Sequence, residues 1–327
     1  MQVLRTLDEA ASAGALRGGA LAIGNLDGVH LGHQRLIAVA RERARARGGR
    51  AGVLTFEPHP VRVLRPQLAP PLVTPLPRKL ELLAEAGLDA VVIQPFDLAY
   101  AATPAAAFVS RDLAGRLGCA EVVVGYDFTA GHERARVDAL RPLLAAHGIA
   151  LQVVEPVTAD GLVVSSTKIR EFLLEGNVEA AALLLTRPYD LDGRVARGAG
   201  RGRGFGFATA NVETQALLPA NGVYVVRALV GGEGGLAGGS LHGGVCNVGV
   251  KPTVEAAAGP IPEAHLFGFD GRDLYGAPIR LAFLARLREE RRFPSVEALR
   301  AQIGRDAEAA RAILAAHGER GDGRRAR

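Results

Sequence analysis

The 327-residue sequence has no tryptophan, 5% aromatic residues, two cysteines and one methionine. So few aromatics leave little material for the stacking platforms that bind nucleic-acid bases. The net charge of +5 is mild, and its basic residues are spread along the chain, densest at Arg41 to Arg50 and Arg320 to Arg327. That distribution suits small phosphorylated substrates better than a polynucleotide. Cys119 and Cys246 lie far apart in apolar, strand-like contexts, which predicts two buried free thiols rather than a disulfide. The N-terminus lacks a charged segment followed by an apolar core, and no apolar run reaches ~18 residues, so a cytoplasmic protein is expected.

What is present is ample core material, 48% hydrophobic residues, in a chain long enough for two domains. In the first half, short apolar runs (Ala20 to Gly24, Gly52 to Phe56, Ala90 to Gln94, Glu121 to Gly125, Leu151 to Glu155) alternate with amphipathic helical stretches. Strands alternating with helices predict an α/β fold with a doubly wound parallel sheet, which binds ligands at the carboxyl ends of its strands. From about Tyr189 the helices give way to short strands between glycine-rich turns, the pattern of a small antiparallel β-barrel. Ser295 to Ala316 follows as an amphipathic helix with Ser295 as N-cap. The expected organisation is a first domain over 1–186, a barrel with its terminal helix over 187–317, and a disordered basic tail over 318–327. The glycine-rich stretch 231–244 is expected to be a mobile hairpin tip.

The polar motifs gather at strand ends. His30-Leu31-Gly32-His33 follows an apolar strand and opens a helix, where free backbone N–H groups and the helix dipole favour a phosphate. Gly32 permits close backbone approach. Two imidazoles there can donate hydrogen bonds to an α-phosphate as charge builds during attack, with no covalent intermediate. Taken alone, the pair equally suits two structural histidines. The second element, Val164-Ser165-Ser166-Thr167-Lys168-Ile169-Arg170, also starts a helix. Its hydroxyls and amides can cradle β- and γ-phosphates, with Lys168 or Arg170 neutralising them.

Together these residues resemble the HxGH nucleotidyltransferase superfamily, which transfers AMP from ATP without a protein nucleophile. Gly24-Asn25-Leu26-Asp27-Gly28-Val29-His30, Thr55-Phe56-Glu57-Pro58-His59-Pro60 and Gly125-Tyr126-Asp127-Phe128 are similar, more narrowly, to the adenylyltransferase half of bacterial FAD synthetases. The resemblance implies His30 and His33 as catalytic residues, with Gly24, Asn25, Asp27, Gly32, Ser165, Ser166, Thr167 and Arg170 on ATP. It places Phe56, Pro58, His59, Asp127 and Phe128 around the flavin. Leu26 stands where the family usually has phenylalanine, and Ala130 replaces a second aromatic.

In the second half, Gly198, Gly202 and Arg203 lie in a glycine-rich run that leads to Thr209 and Asn211. Glycine-rich backbone can wrap phosphates, and hydroxyl and amide oxygens suit Mg²⁺. A plain surface loop is the other reading of such a run. Thr209 and Asn211 are two apart, so on a strand they share a face. The run from Gly193 to Asn211 resembles the riboflavin kinase barrel, with Ala208 in place of the family's proline. Gly222-Val223-Tyr224, Asn247-Val248-Gly249, Glu263-Ala264-His265-Leu266, Leu287-Arg288-x-Glu290-x2-Phe293 and Gln302-Ile303-x2-Asp306 continue the match in order. The resemblance implies Glu263 as general base and Thr209 and Asn211 as the Mg²⁺ side of a Mg²⁺–ATP site. It also implies riboflavin, FMN and ATP as substrates, with no nucleic acid, no membrane and at most transient self-association. The reading of a different class is a nucleotide- or flavin-binding regulator without catalysis, or a weak RNA binder. Such a protein has no need of paired transition-state donors.

Overall fold

The computed structural model describes residues 1–196, 208–232, 235–249, 260–269 and 274–322. The chain divides into two compact units, Met1–Ser166 and Thr167–Arg327.

The first unit is built on six parallel strands: β1 (Gln2–Leu4), β2 (Ala20–Ile23), β3 (Ala51–Glu57), β4 (Ala90–Pro95), β5 (Glu121–Gly125) and β6 (Ala150–Val154). Their order across the sheet is β1-β4-β3-β2-β5-β6. Successive side chains of a strand point to opposite faces, so each apolar run feeds two cores. On one face Leu21, Ile23, Leu54, Val92, Val122 and Val124 pack with α1 (Leu7–Ala13), α4 (Phe108–Leu117, wound with π-type turns) and α5 (Val137–Ala146). On the other, Ala20, Ala22, Val53, Val91, Ile93 and Val123 meet α2 (Leu31–Ala46) and α3 (Leu76–Glu85). Burial on both faces is why these strands read as continuous apolar runs. The chain reverses its walk across the sheet at β2, which lies between β3 and β5, and the loop leaving β2 therefore opens at the switch point.

Helix α6 (Ser166–Glu175) begins at the division between the units, and α7 (Val178–Leu185) follows, capped by Asn177, whose Oδ1 accepts from Ala180 N at 3.0 Å. The second unit then closes a barrel of antiparallel strands: β7 (Tyr189–Ala196), β8 (Ala208–Glu213), β9 (Gly222–Gly232), β10 (Gly235–Gly249), β11 (Ile261–Leu266) and β12 (Pro278–Arg288). The order round the barrel is β7-β8-β11-β10-β9-β12. Tyr189, Tyr224 and Phe283 are its largest fully buried side chains. The terminal helix α8 (Val296–Asp322) covers Val223, Val225, Val245 and Leu284 with Ala310, Ile313 and Leu314. Arg288 fastens it, its guanidinium donating to both oxygens of Asp306 at 2.8–3.2 Å.

Two expectations are corrected. The stretch 231–244 is longer than a hairpin tip: β9 and β10 form an antiparallel hairpin with Gly232 opposite Gly235, and Ser240 to Gly244 are paired strand. The tail expected from residue 318 is helical as far as Asp322, because α8 continues past Ala316. Cys119 and Cys246 are free and buried, and burial pushes the Cys119 thiol up to about 12.

Candidate active sites

The loop from β2 to α2 adopts an expensive backbone shape. Leu26, Gly28 and Val29 have φ of 52°, 92° and 43°. Such angles suit glycine, but for leucine and a β-branched valine they are strained and need outside support. Part of that support is burial: Leu26 is 1% exposed and Val29 2%, both within the core facing α2. Leu26 is therefore a packing residue, and the exchange of the family's phenylalanine for leucine is a core exchange. The rest is hydrogen bonding. Thr55 Oγ1 donates to Asn25 O at 3.2 Å, Lys79 Nζ donates to the same carbonyl at 3.1 Å, and Ser166 Oγ donates to Asp27 O at 2.8 Å. Asp27, expected on ATP, has a carboxylate whose two oxygens accept from Val73 N at 3.0 Å and Thr74 N at 2.8 Å. It shapes the loop from within.

At the end of this loop His30 caps α2, its Nδ1 accepting from His33 N at 3.4 Å. An accepting Nδ1 places the proton of the neutral ring on Nε2. The two imidazoles stack with centroids 3.5 Å apart. A Cβ on Gly32 would sit 3.2 Å from the His30 ring, so glycine is what lets the first turn close on the pair. Burial holds the His33 imidazole well below the usual histidine range, and the neighbouring His30 and Lys79 add to the effect. His33 Nδ1 and Asn25 Oδ1 are buried without a hydrogen-bond partner. Buried polar atoms of this kind are costly unless something completes them. Ser165 precedes the first residue of α6, and Thr167 and Arg170 follow on that helix.

The residues assigned to the flavin lie at neighbouring strand ends. Phe56, near the end of β3, makes an edge contact with Phe96 at 5.7 Å and lies 6.2 Å from Tyr100. His59 caps the short helix Pro60–Leu64, its Nδ1 accepting from Val61 N at 3.3 Å, and Pro58 before it is joined to Glu57 by a cis peptide bond. Beyond β5, Phe128 N donates to Gly125 O at 3.1 Å, a turn that leaves Asp127 exposed and packs Phe128 on the core. Ala130 is 7% exposed in that same core, so this departure too is one of packing.

In the barrel, strand register does the assembling. Asn211 lies directly opposite Glu263, which lies opposite Asn247 on the next strand. Thr209 and His265 form the adjacent row, with Thr209 Oγ1 and His265 Nδ1 2.9 Å apart. Ala210, Val212, Ala264, Leu266, Cys246 and Val248 are buried in alternation with these residues. The polar set therefore shares the other face of the wall. Asn247 Nδ2 donates to Glu290 Oε1 at 3.3 Å, linking this face to the segment before α8. Burial holds the His265 imidazole below its ordinary range. Gly198, Gly202 and Arg203 lie outside the described residues.

Sequence reading missed Lys79, and it placed Thr55 within a motif without giving it a role. The signal for Lys79 is that it falls on the apolar stripe of α3, three and four residues before the buried Leu82 and Leu83.

Comparison with known proteins matches two family models to the chain. The family model for FAD synthetase matches residues 13–168 and that for riboflavin kinase matches residues 185–314. A bifunctional riboflavin kinase/FMN adenylyltransferase from Pseudomonas fluorescens is 38% identical over 301 residues, 91% of this chain and 94% of that relative. Relatives with the same description from Bacillus subtilis and Escherichia coli are each 36% identical over 88% of this chain. Among solved structures, a crystal structure described as a macrolide-efflux protein from Streptococcus pneumoniae covers 95% of this chain with a TM-score of 0.83 and 27% identity. Among the described residues no helix is long and apolar enough to cross a membrane.

Proposed function

The chain belongs to the family of bifunctional riboflavin kinase/FMN adenylyltransferases, and we propose that His30 and His33 carry the adenylyl transfer and Glu263 the phosphorylation. The first reaction in sequence phosphorylates riboflavin to FMN, and the second joins FMN to AMP from ATP, giving FAD.

For the adenylyl transfer, an FMN phosphate oxygen attacks the α-phosphorus of ATP. The bond to the β-phosphate oxygen breaks and pyrophosphate leaves. The negative charge that builds on the α-phosphate is met by neutral imidazole N–H groups and by the amides of the first turn of α2. The observation that carries this reading is His33 Nδ1, a buried ring nitrogen left without a partner beside the stacked rings. Ser165, Ser166, Thr167 and Arg170 are assigned to the β- and γ-phosphates, and Phe56, Pro58, His59, Asp127 and Phe128 to the flavin.

For the kinase, Glu263 accepts the proton of the riboflavin 5′-hydroxyl as that oxygen takes the γ-phosphoryl group and ADP departs. Its place between Asn211 and Asn247 on three hydrogen-bonded strands supports this role. Thr209 and Asn211 present neutral oxygen donors beside a carboxylate, a set that suits Mg²⁺ arriving with the nucleotide's own phosphate oxygens. There Mg²⁺ would neutralise phosphate charge. Gly198, Gly202 and Arg203 are assigned to the ATP phosphates. Both steps consume ATP, which favours the cytoplasm as the working compartment.

Incubation of the purified chain with riboflavin, ATP and Mg²⁺, with the flavins resolved by chromatography, tests the whole reading. FMN should appear first and FAD after it. Absence of FMN with conversion of supplied FMN to FAD would remove the kinase, and absence of both products would remove the enzyme.

A further inference from the structure

Lys79 lies behind the histidine loop, 6% exposed, in a position that α3 otherwise fills with leucine. Burying an ammonium is costly, and a methionine would fill the same space without that penalty. Its hydrogen bonds show where the charge is used. Nζ donates to Asn25 O at 3.1 Å and to Thr55 Oγ1 at 3.4 Å, while Thr55 Oγ1 itself donates to Asn25 O. Two side chains from different elements thus converge on one carbonyl. That carbonyl belongs to the residue whose Oδ1 is buried and unpartnered, and it precedes the strained Leu26.

We propose that Lys79 is a positioning residue for adenylyl transfer, its ammonium tethering the Asn25 carbonyl so that the Asn25 side chain and the stacked histidines stand ready for the ATP phosphates. This rests on the adenylyltransferase reading above. The ammonium has a second consequence. The ionisable groups around it are Asp27 and Glu57, whose carboxylates attract it, and the His30–His33 pair. Its positive charge opposes protonation of His33 and so widens the pH range in which that ring stays neutral.

The test uses the full-length chain and measures kcat, KM and the pH profile of FMN conversion to FAD. Riboflavin phosphorylation by the same molecule is the internal control. Lys79→Met should lower kcat for FAD formation by about 100-fold, the loss typical of a misplaced catalytic group. FMN formation should be unchanged. The acid limb should move to higher pH, because His33 loses a neighbouring cation. Lys79→Arg, which keeps the charge in a bulkier head, should keep the acid limb but not restore kcat fully. Thr55→Val, which removes the second donor to Asn25, should lower kcat in the same direction by a smaller factor. A Lys79→Met enzyme within about threefold of the parent in kcat, or one with an unmoved acid limb, would overturn the proposal. If Lys79→Met does not fold, Thr55→Val decides: unchanged kcat in that variant sinks the tether. Failure of the parent chain to make FAD would instead remove the adenylyltransferase reading.

Discussion

The rings of His30 and His33 stack 3.5 Å apart with their planes inclined by only 20°. Two imidazolium ions could not share that contact without strong repulsion, so it favours a neutral His33, the state that the proposed adenylyl transfer requires. The His30 cap on the His33 amide keeps the stack in place, and the glycine between them leaves the room it needs. On the proposed reading, helix capping and catalytic placement are one arrangement.

A first prediction concerns pH and stability. His33 binds its proton less tightly in the folded chain than in the unfolded one, so the unfolded state takes up more protons below about pH 6.5. Stability contributed by neutral His33 is complete above that value and falls as pH drops toward the depressed folded value, by at most about 1.4 kcal/mol per pH unit. Thermal unfolding of the full chain from about pH 7 to pH 5 should show a steeper decline for the parent than for His33→Gln. Parallel declines would contradict it.

Separating the two chemistries is the second. His33→Ala should cut FAD formation by about 100-fold or more while FMN accumulates, as expected for loss of a transition-state donor. Glu263→Ala should slow FMN formation while leaving supplied FMN convertible to FAD. Flavin chromatography over a time course reads both, and loss of both activities in either variant would show the sites misassigned.

Asp27 gives the third. Removing its carboxylate in Asp27→Ala leaves the Val73 and Thr74 amides without their buried acceptor. An unsatisfied buried donor costs about 1–3 kcal/mol, so denaturant midpoints should fall accordingly. FAD formation should fall with them, because the loop that carries His30 loses its inner brace. A variant of parental stability would show those amides to be satisfied by other means.

Gly32→Ala separates stability from activity. Alanine is the better helix former by about 1 kcal/mol, which offsets part of the crowding against the His30 ring. Unfolding midpoints should therefore change little, yet FAD formation should fall by about tenfold or more because the stack is pushed open. Unchanged turnover would mean that the ring geometry does not set the rate.

The sheet was legible because its apolar runs are short and interrupted by amphipathic helices, and both sides of Leu21 to Ile23 are buried. The register row Asn211–Glu263–Asn247 was half legible: spacing put Thr209 and Asn211 on one face, but no local pattern announces which strands lie side by side. The stretch 231–244 misled for a physical reason. Glycine there serves close approach as well as turns: Gly235 and Gly238 have positive φ, but a Cβ on Gly239 would lie 2.5 Å from Val230 O, and one on Gly243 2.5 Å from Leu314 Cδ1 of α8. Lys79 stayed hidden because a lysine near the start of a helix ordinarily reads as solvent-facing.

The braces on the histidine loop hold main-chain oxygens, Asn25 O and Asp27 O, and those atoms are present whatever side chain occupies the position. Those two braces survive side-chain exchange on the loop, whereas the Asp27 carboxylate and the buried Leu26 and Val29 side chains, which support the same shape, do not. Thr55 and Lys79 are fragile positions of a less obvious kind, donors behind the loop that an engineer guided only by proximity to substrate would leave unprotected.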